Sequence, residues 1–140
     1  EESLEYFRIS QANAILEGVG DVLETDLATL GQKTISEGLI PSETMSMLLN
    51  DLFEGVYQGL EQAISAVKEN DQKAAQAVIA LKPEIYRRTQ AALERQAQSL
   101  AESGEARLET LNAEFELTDK LKRIFSLSKR IARLWVPKEV

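Results

Sequence analysis

Along almost the whole chain apolar residues recur at steps of three and four. The first run, Ile9, Ala12, Leu16, Val19, Leu23, Leu27 and Leu30, predicts a helix over about residues 4–37. Gly38 stands where a left-handed cap would end it, and Pro41 bars continuation. Ser42 is a good N-cap for a second helix over about residues 42–69, with Met45, Leu48, Leu49, Leu52, Val56, Leu60, Ala63, Ile64 and Val67 as its stripe. Asn70 and Asp71 mark a turn. A third helix over about residues 72–101 has a leaner stripe of Ala74, Val78, Leu81, Ile85, Ala92 and Leu100. Pro83 lies inside it and predicts a kink near residues 79–83, with two shorter helices as the alternative. Gly104 closes this element. The fourth helix, over about residues 105–134, carries Leu108, Leu111, Phe115, Leu121, Ile124, Ile131 and Trp135, and Pro137 ends it.

Short connections make sequential helices antiparallel, and no alternation of period two leaves room for a sheet. The expected fold is all-α: one domain over residues 1–140, an elongated antiparallel up-down bundle of four long helices, each roughly 45 Å in length. In such a bundle the first helix lies beside the last. Matching Leu4 to Trp135 and Glu37 to Glu105 then sets Glu17 and Asp21 opposite residues 119–123.

Composition narrows the chemistry. The 140 residues contain neither cysteine nor histidine, which removes disulfides, thiolate and imidazole metal sites and His-dependent triads together. A metal here needs oxygen ligands. No apolar run is long enough to span a membrane, and the chain opens on Glu1 rather than Met, as expected of a piece of a longer polypeptide. Residues 1–69 carry 3 basic and 13 acidic groups, whereas residues 70–140 carry 13 basic and 10 acidic ones. A net charge of −7 with one basic end argues against general nucleic-acid binding and for pairing within the chain.

The strongest candidate site is on the first helix, where Asn13, Glu17 and Asp21 fall in one row. Like charges four apart cost about 0.2–0.5 kcal/mol on a bare helix, so a cation is the expected complement; the alternative is a solvated acidic face. Gly18 and Gly20 each weaken the helix by roughly 0.5–1 kcal/mol, a cost that implies a close approach of another group. Near the other end, Lys120, Lys122, Arg123, Lys129, Arg130, Arg133 and Lys138 form a basic run with no acid among them. This run either complements the acidic first helix or meets phosphate or an anionic lipid surface. Trp135 reads as a core cap or an interfacial anchor. Glu116 and Asp119 form a second acidic pair, from which Glu114 points away.

These pieces resemble the PhoU-type domain, known from phosphate-uptake regulation and from the C-terminal cytoplasmic ends of bacterial sodium/phosphate cotransporters. Glu17-Gly-Val-Gly20-Asp21 is similar to the family's helical E-R-I-G-D run, and the resemblance implies a divalent metal at Asn13, Glu17 and Asp21. Asn70-Asp71-Gln-Lys-Ala-Ala-Gln-Ala-Val, then Leu81-Lys-Pro-Glu84-Ile85, resembles its middle helix. On the last helix Asp119-Lys-Leu-Lys122-Arg123-Ile124-Phe125-Ser126 aligns with D-L-E-R-I-G-D, with Lys122, Phe125 and Ser126 replacing Glu, Gly and Asp. The expected groove therefore joins Asn13, Glu17 and Asp21 to Asp119, Lys122, Arg123 and Ser126, the Lys122 ammonium standing in for the family's cation. The resemblance implies a non-enzymatic regulatory domain on the cytoplasmic side of a membrane, attached to an upstream transmembrane transporter portion. A second reading is an adaptor bundle with no small-molecule ligand; a third, a metal-dependent hydrolase, lacks a positioned base or nucleophile. Phe53, Tyr57 and Tyr86 are expected at the surface and favour a homodimer.

Overall fold

The computed structural model describes residues 2–39, 41–103 and 108–136. Its helices are α1 (Glu2–Asp21), a π-helical segment (Val22–Leu27), α2 (Ala28–Glu37), α3 (Glu43–Glu69), α4 (Gln72–Ala80), α5 (Lys82–Ser103) and α6 (Leu108–Arg133). The fold is all-α. The caps follow from single residues. Gly38 turns left-handed at φ 65° and ends α2, and Ser42 Oγ accepts the Met45 N–H at 3.2 Å to start α3. Asn70 at φ 52° ends α3, and Asp71 Oδ1 accepts the Lys73 and Ala74 N–H groups at 2.9 and 3.2 Å to start α4. The expected boundary at Gly104 and Glu105, and the stop at Pro137, lie outside the described residues.

α1, the π segment and α2 form one unbroken rod, because Asp21 and Ala28 at its internal junctions are right-handed helical. The expected stripe used Val19, Leu23 and Leu27. The rod instead buries Val19 and Val22, leaves Leu23 40% exposed, and brings Leu27 back against the core. The step of five from Val22 to Leu27 is what a turn of π-helix accommodates. At Pro83 the outcome lies between a kink and a break. Leu81 keeps helical dihedrals but donates to Val78 O, tightening one turn, and Pro83 falls in the first turn of α5, where no N–H is required.

The helices do not close into a symmetric four-helix bundle. α3, the α4–α5 pair and α6 pack against one another, while the rod lies chiefly along α6. The pairs Gly18–Leu127 and Asp26–Lys120 show rod and α6 running antiparallel. A helix resting on one neighbour buries only a narrow stripe. In the rod this stripe is Ala12, Val19, Val22 and Leu30, so Leu4, Tyr6, Phe7 and Ile9 stay exposed, Ile9 against expectation. Ile64, Leu100, Leu108 and Phe115, also expected inside, are more than a third exposed; Leu100 and Leu108 sit at the α5–α6 end, beyond the best-covered part of the core. Trp135 is the core cap rather than an interfacial anchor: it is buried, and its Nε1 donates to Asn70 Oδ1 at 2.8 Å.

Two glycines on α3 permit the tightest contacts. A Cβ on Gly59 would lie 3.0 and 3.1 Å from the Phe125 ring, and one on Gly55 would lie 2.7 Å from Ile85 Cδ1. Around Gly20 nothing lies within 4 Å, and at Gly18 Leu127 is at an ordinary 3.8 Å, so the close approach expected at that pair occurs at Gly55 and Gly59 instead. Gly59→Ala should lower stability by about 1 kcal/mol, since overpacking costs about 1–3 kcal/mol and helix propensity returns at most about 1. Gly20→Ala should raise it by roughly 0.5–1 kcal/mol. Denaturant midpoints of the two variants check this; a Gly59→Ala protein as stable as wild type would mean that Phe125 moves aside freely.

Candidate functional site

Asn13, Glu17 and Asp21 do share a face of α1, and all three are exposed there. Their expected partners are divided between two sides of α6. Residues 120 and 122 are two apart, which on an α-helix turns them about 200° from each other, so one neighbour cannot receive both. Lys120 faces the rod and pairs with Asp26 at 3.4 Å. Lys122 and Ser126 line a groove against α5, so the Lys122 ammonium is not the complement of Glu17 and Asp21. The register also differs: Gly18 meets Leu127, which sets Glu17 level with the residues around Leu127 rather than with 119–123. Arg123 is exposed. Asp119 lines a cleft of about 550 Å³ between the rod and α6, whose lining brings three acids, Asp26, Glu116 and Asp119, together with Lys33 and Lys120. Glu114 is buried on a different, apolar cleft beside Leu117 and Leu121. Among the described residues no three His, Cys, Asp or Glu side chains are grouped to hold a metal ion.

The groove between α5 and α6 has a different character. Lys122 and Lys129 from α6 and Lys82 from α5 line it around a cavity of about 180 Å³, with Ile85 and Phe125 as its apolar walls. Lys122, Ser126 and Lys129 reach it together because steps of four and three keep them on one helical face. No carboxylate lines the groove, and none lies within ion-pairing distance of the three lysines among the described residues. Glu84, an acid on α5, is committed elsewhere. It accepts from Arg87 Nε at 3.1 Å and Arg88 Nε at 2.8 Å, and Arg88 Nη1 carries on to Asp51 O of α3 at 2.7 Å. The hydrogen bonds from Arg87 and then Arg88 hold the Glu84 carboxyl down at about 2. The Lys129 ammonium lies 5.4 Å from the centre of the Phe125 ring. Partial burial, then the like charges of Lys82 and Arg133, push its pKa below the usual lysine value.

A protein-family model for the PhoU domain matches residues 49–134. The chain belongs to the PhoU domain family. No curated protein and no solved structure matches it significantly. The matched span of this PhoU domain begins within α3 and ends with α6, so it coincides with the three mutually packed helical arms and leaves the rod outside. Asn13, Glu17 and Asp21 therefore fall outside the family match, whereas the basic groove lies wholly within it. Lys122, Phe125 and Ser126, the three departures from the resembled last-helix run, all line that groove. Periodicity alone could have found them, since 122, 125, 126 and 129 share a face; which helix that face meets is not written in the spacing.

The Glu84 cluster gives the PhoU domain a defined acid response. A carboxyl held below its ordinary value stabilises the fold above that value and loses this contribution as pH falls through the folded-state pKa. The melting-temperature difference between wild type and Glu84→Gln should therefore hold steady from neutral pH down to about 4.5 and shrink toward zero by about 2. Thermal melts across that range check it; a difference unchanged at the acid end would mean that the charge of Glu84 is not its source.

Proposed function

We propose that this PhoU domain is a non-enzymatic regulatory module that modulates sodium-dependent phosphate transport from the cytoplasmic face of a membrane, acting through a bound ion or a partner. The observation that carries the reading is the family match over the packed core of α3 to α6. Three features support it. No described helix is long and apolar enough to cross a membrane, so the translocation path itself belongs to another segment or another chain. Glu84, Arg87 and Lys129 have displaced pKa values, and they form an ion-pair cluster and an amine facing a groove, not an acid and base placed on a reacting centre. The sequence offers neither cysteine nor histidine as a nucleophile or proton carrier. The ion response is assigned to the core rather than to Asn13, Glu17 and Asp21, which offer three ligands from one exposed helix face and no second element to close a coordination shell.

The adaptor reading also has an observation behind it. Phe53 and Tyr57 stack at 6.2 Å on α3 while remaining half exposed, and such an apolar pair suits a partner or a second copy. Deleting residues 1–140 from the full-length polypeptide separates the two. Sodium-dependent uptake of labelled phosphate should continue but lose its decline in phosphate-replete cells. Uptake and its regulation both unchanged would overturn the regulatory reading, and loss of complex size in cross-linking with regulation intact would favour the adaptor.

A further inference from the structure

We propose that the groove between α5 and α6 is an anion site that takes the phosphate group, either as free inorganic phosphate or as the headgroup of an anionic phospholipid. Three lysines line one small cavity from two helices, Lys82 from α5 and Lys122 and Lys129 from α6. The polar residues beside them are neutral: Ser126, Gln90 and Tyr86 line the same cavity. The Thr89 hydroxyl is already spent on Ile85 O at 2.7 Å. A site with several donors, a surplus of positive charge and no carboxylate is matched by a compact anion bearing more than one negative charge and several acceptor oxygens. A monocarboxylate would leave most of these donors unused.

The surroundings point the same way. From Lys120 to Arg133 α6 carries six basic residues and no acid, and Arg130 and Arg133 are exposed on the same half of the helix. Glu84 cannot neutralise the groove, because Arg87 and Arg88 hold it. Asp119, the nearest acid before the run, opens into the cleft on the rod side. Burial and the repulsion from Lys82 and Arg133 lower the Lys129 pKa, which is how an amine behaves when positive charge is gathered without a counter-ion. The inference needs only the groove, so it stands or falls independently of any role in transport.

The test uses the 140-residue chain and has a local readout. Exposed lysine amines react with acetic anhydride, and inorganic phosphate should protect Lys82, Lys122 and Lys129 together, read by mass spectrometry, while Lys120, Lys33 and Lys73 are unaffected. Isothermal titration with inorganic phosphate should give saturable binding that is weakened at least tenfold in the Lys122→Gln/Lys129→Gln double variant and preserved in Lys120→Gln. Lys129→Arg, which keeps the charge, should retain most of it, and circular dichroism confirms that each variant is folded. Co-sedimentation with phosphatidylglycerol vesicles, against phosphatidylcholine vesicles, distinguishes the sources: groove-dependent vesicle binding without free phosphate binding assigns a lipid headgroup, and the reverse assigns the free ion. Absence of both, or binding that survives the double variant unchanged, overturns the proposal. Loss of groove binding with regulation of uptake intact would separate this site from the transport reading.

Discussion

One helix has to serve every neighbour, and the architecture follows from how its surface is shared out. α6 packs against α3, α4, α5 and the N-terminal rod. One close engagement is the Phe125 ring over Gly59, a contact that any side chain at position 59 would crowd. Ile131 and Ala132 are fully buried at its C-terminal end, and Trp135 fastens that end to the α3–α4 turn through Asn70. With the apolar positions committed in several directions, α6 has only a narrow sector left for solvent. The residues flanking that sector are divided between the rod on one side and α5 on the other.

That division explains what was legible in the sequence and what was not. Gly38, Ser42, Asn70 and Asp71 act through their own backbone or the N–H groups two and three residues on, so their roles can be read locally, and they occur where expected. The long stripes are legible for the same reason. Facing is not. Lys120 and Lys122 look alike in a list of charges, yet they serve opposite flanks of one helix, and only the packing of two other helices decides which flank meets which neighbour. The glycines carry the same lesson. Gly18-Val-Gly20 and Gly55 with Gly59 are equally conspicuous, but close contact belongs to the second pair because α3 sits inside the core while α1 has a single neighbour. The π turn was hidden by an accident of composition, since Leu23 is apolar and completes an ordinary stripe where Val22 is the residue buried.

The family match adds a boundary that the helical pattern lacked. Periodicity treats the rod as a full member of the bundle; the matched residues leave it out, and the packing joins it chiefly to α6. A helix held along one side, through four buried residues, the partly buried Ile15, Leu16 and Leu27 and one ion pair to Lys120, has fewer interactions to break than the helices packed against several neighbours. Its exposed Leu4, Tyr6 and Phe7 belong to that weakly held end. Ala12, Val19 and Val22 nevertheless join the same apolar cluster as α3, α4–α5 and α6.

The charge distribution takes its meaning from the same geometry. A net charge of −7 would by itself argue against an anion site anywhere on the molecule. Electrostatic reach, however, is limited to about 8–10 Å at physiological ionic strength, which is close to the roughly 10–12 Å diameter of a helix with its side chains. The acidic rod therefore acts on the flank of α6 it touches, where Asp26 engages Lys120, and is largely screened from the flank facing α5. Lys82, Lys122 and Lys129 occupy that second flank, where no carboxylate lines the groove and Glu84 of α5 is already bound by two arginines. Global charge governs how an anion approaches from a distance; the local arrangement of α5 and α6 governs what holds it on arrival.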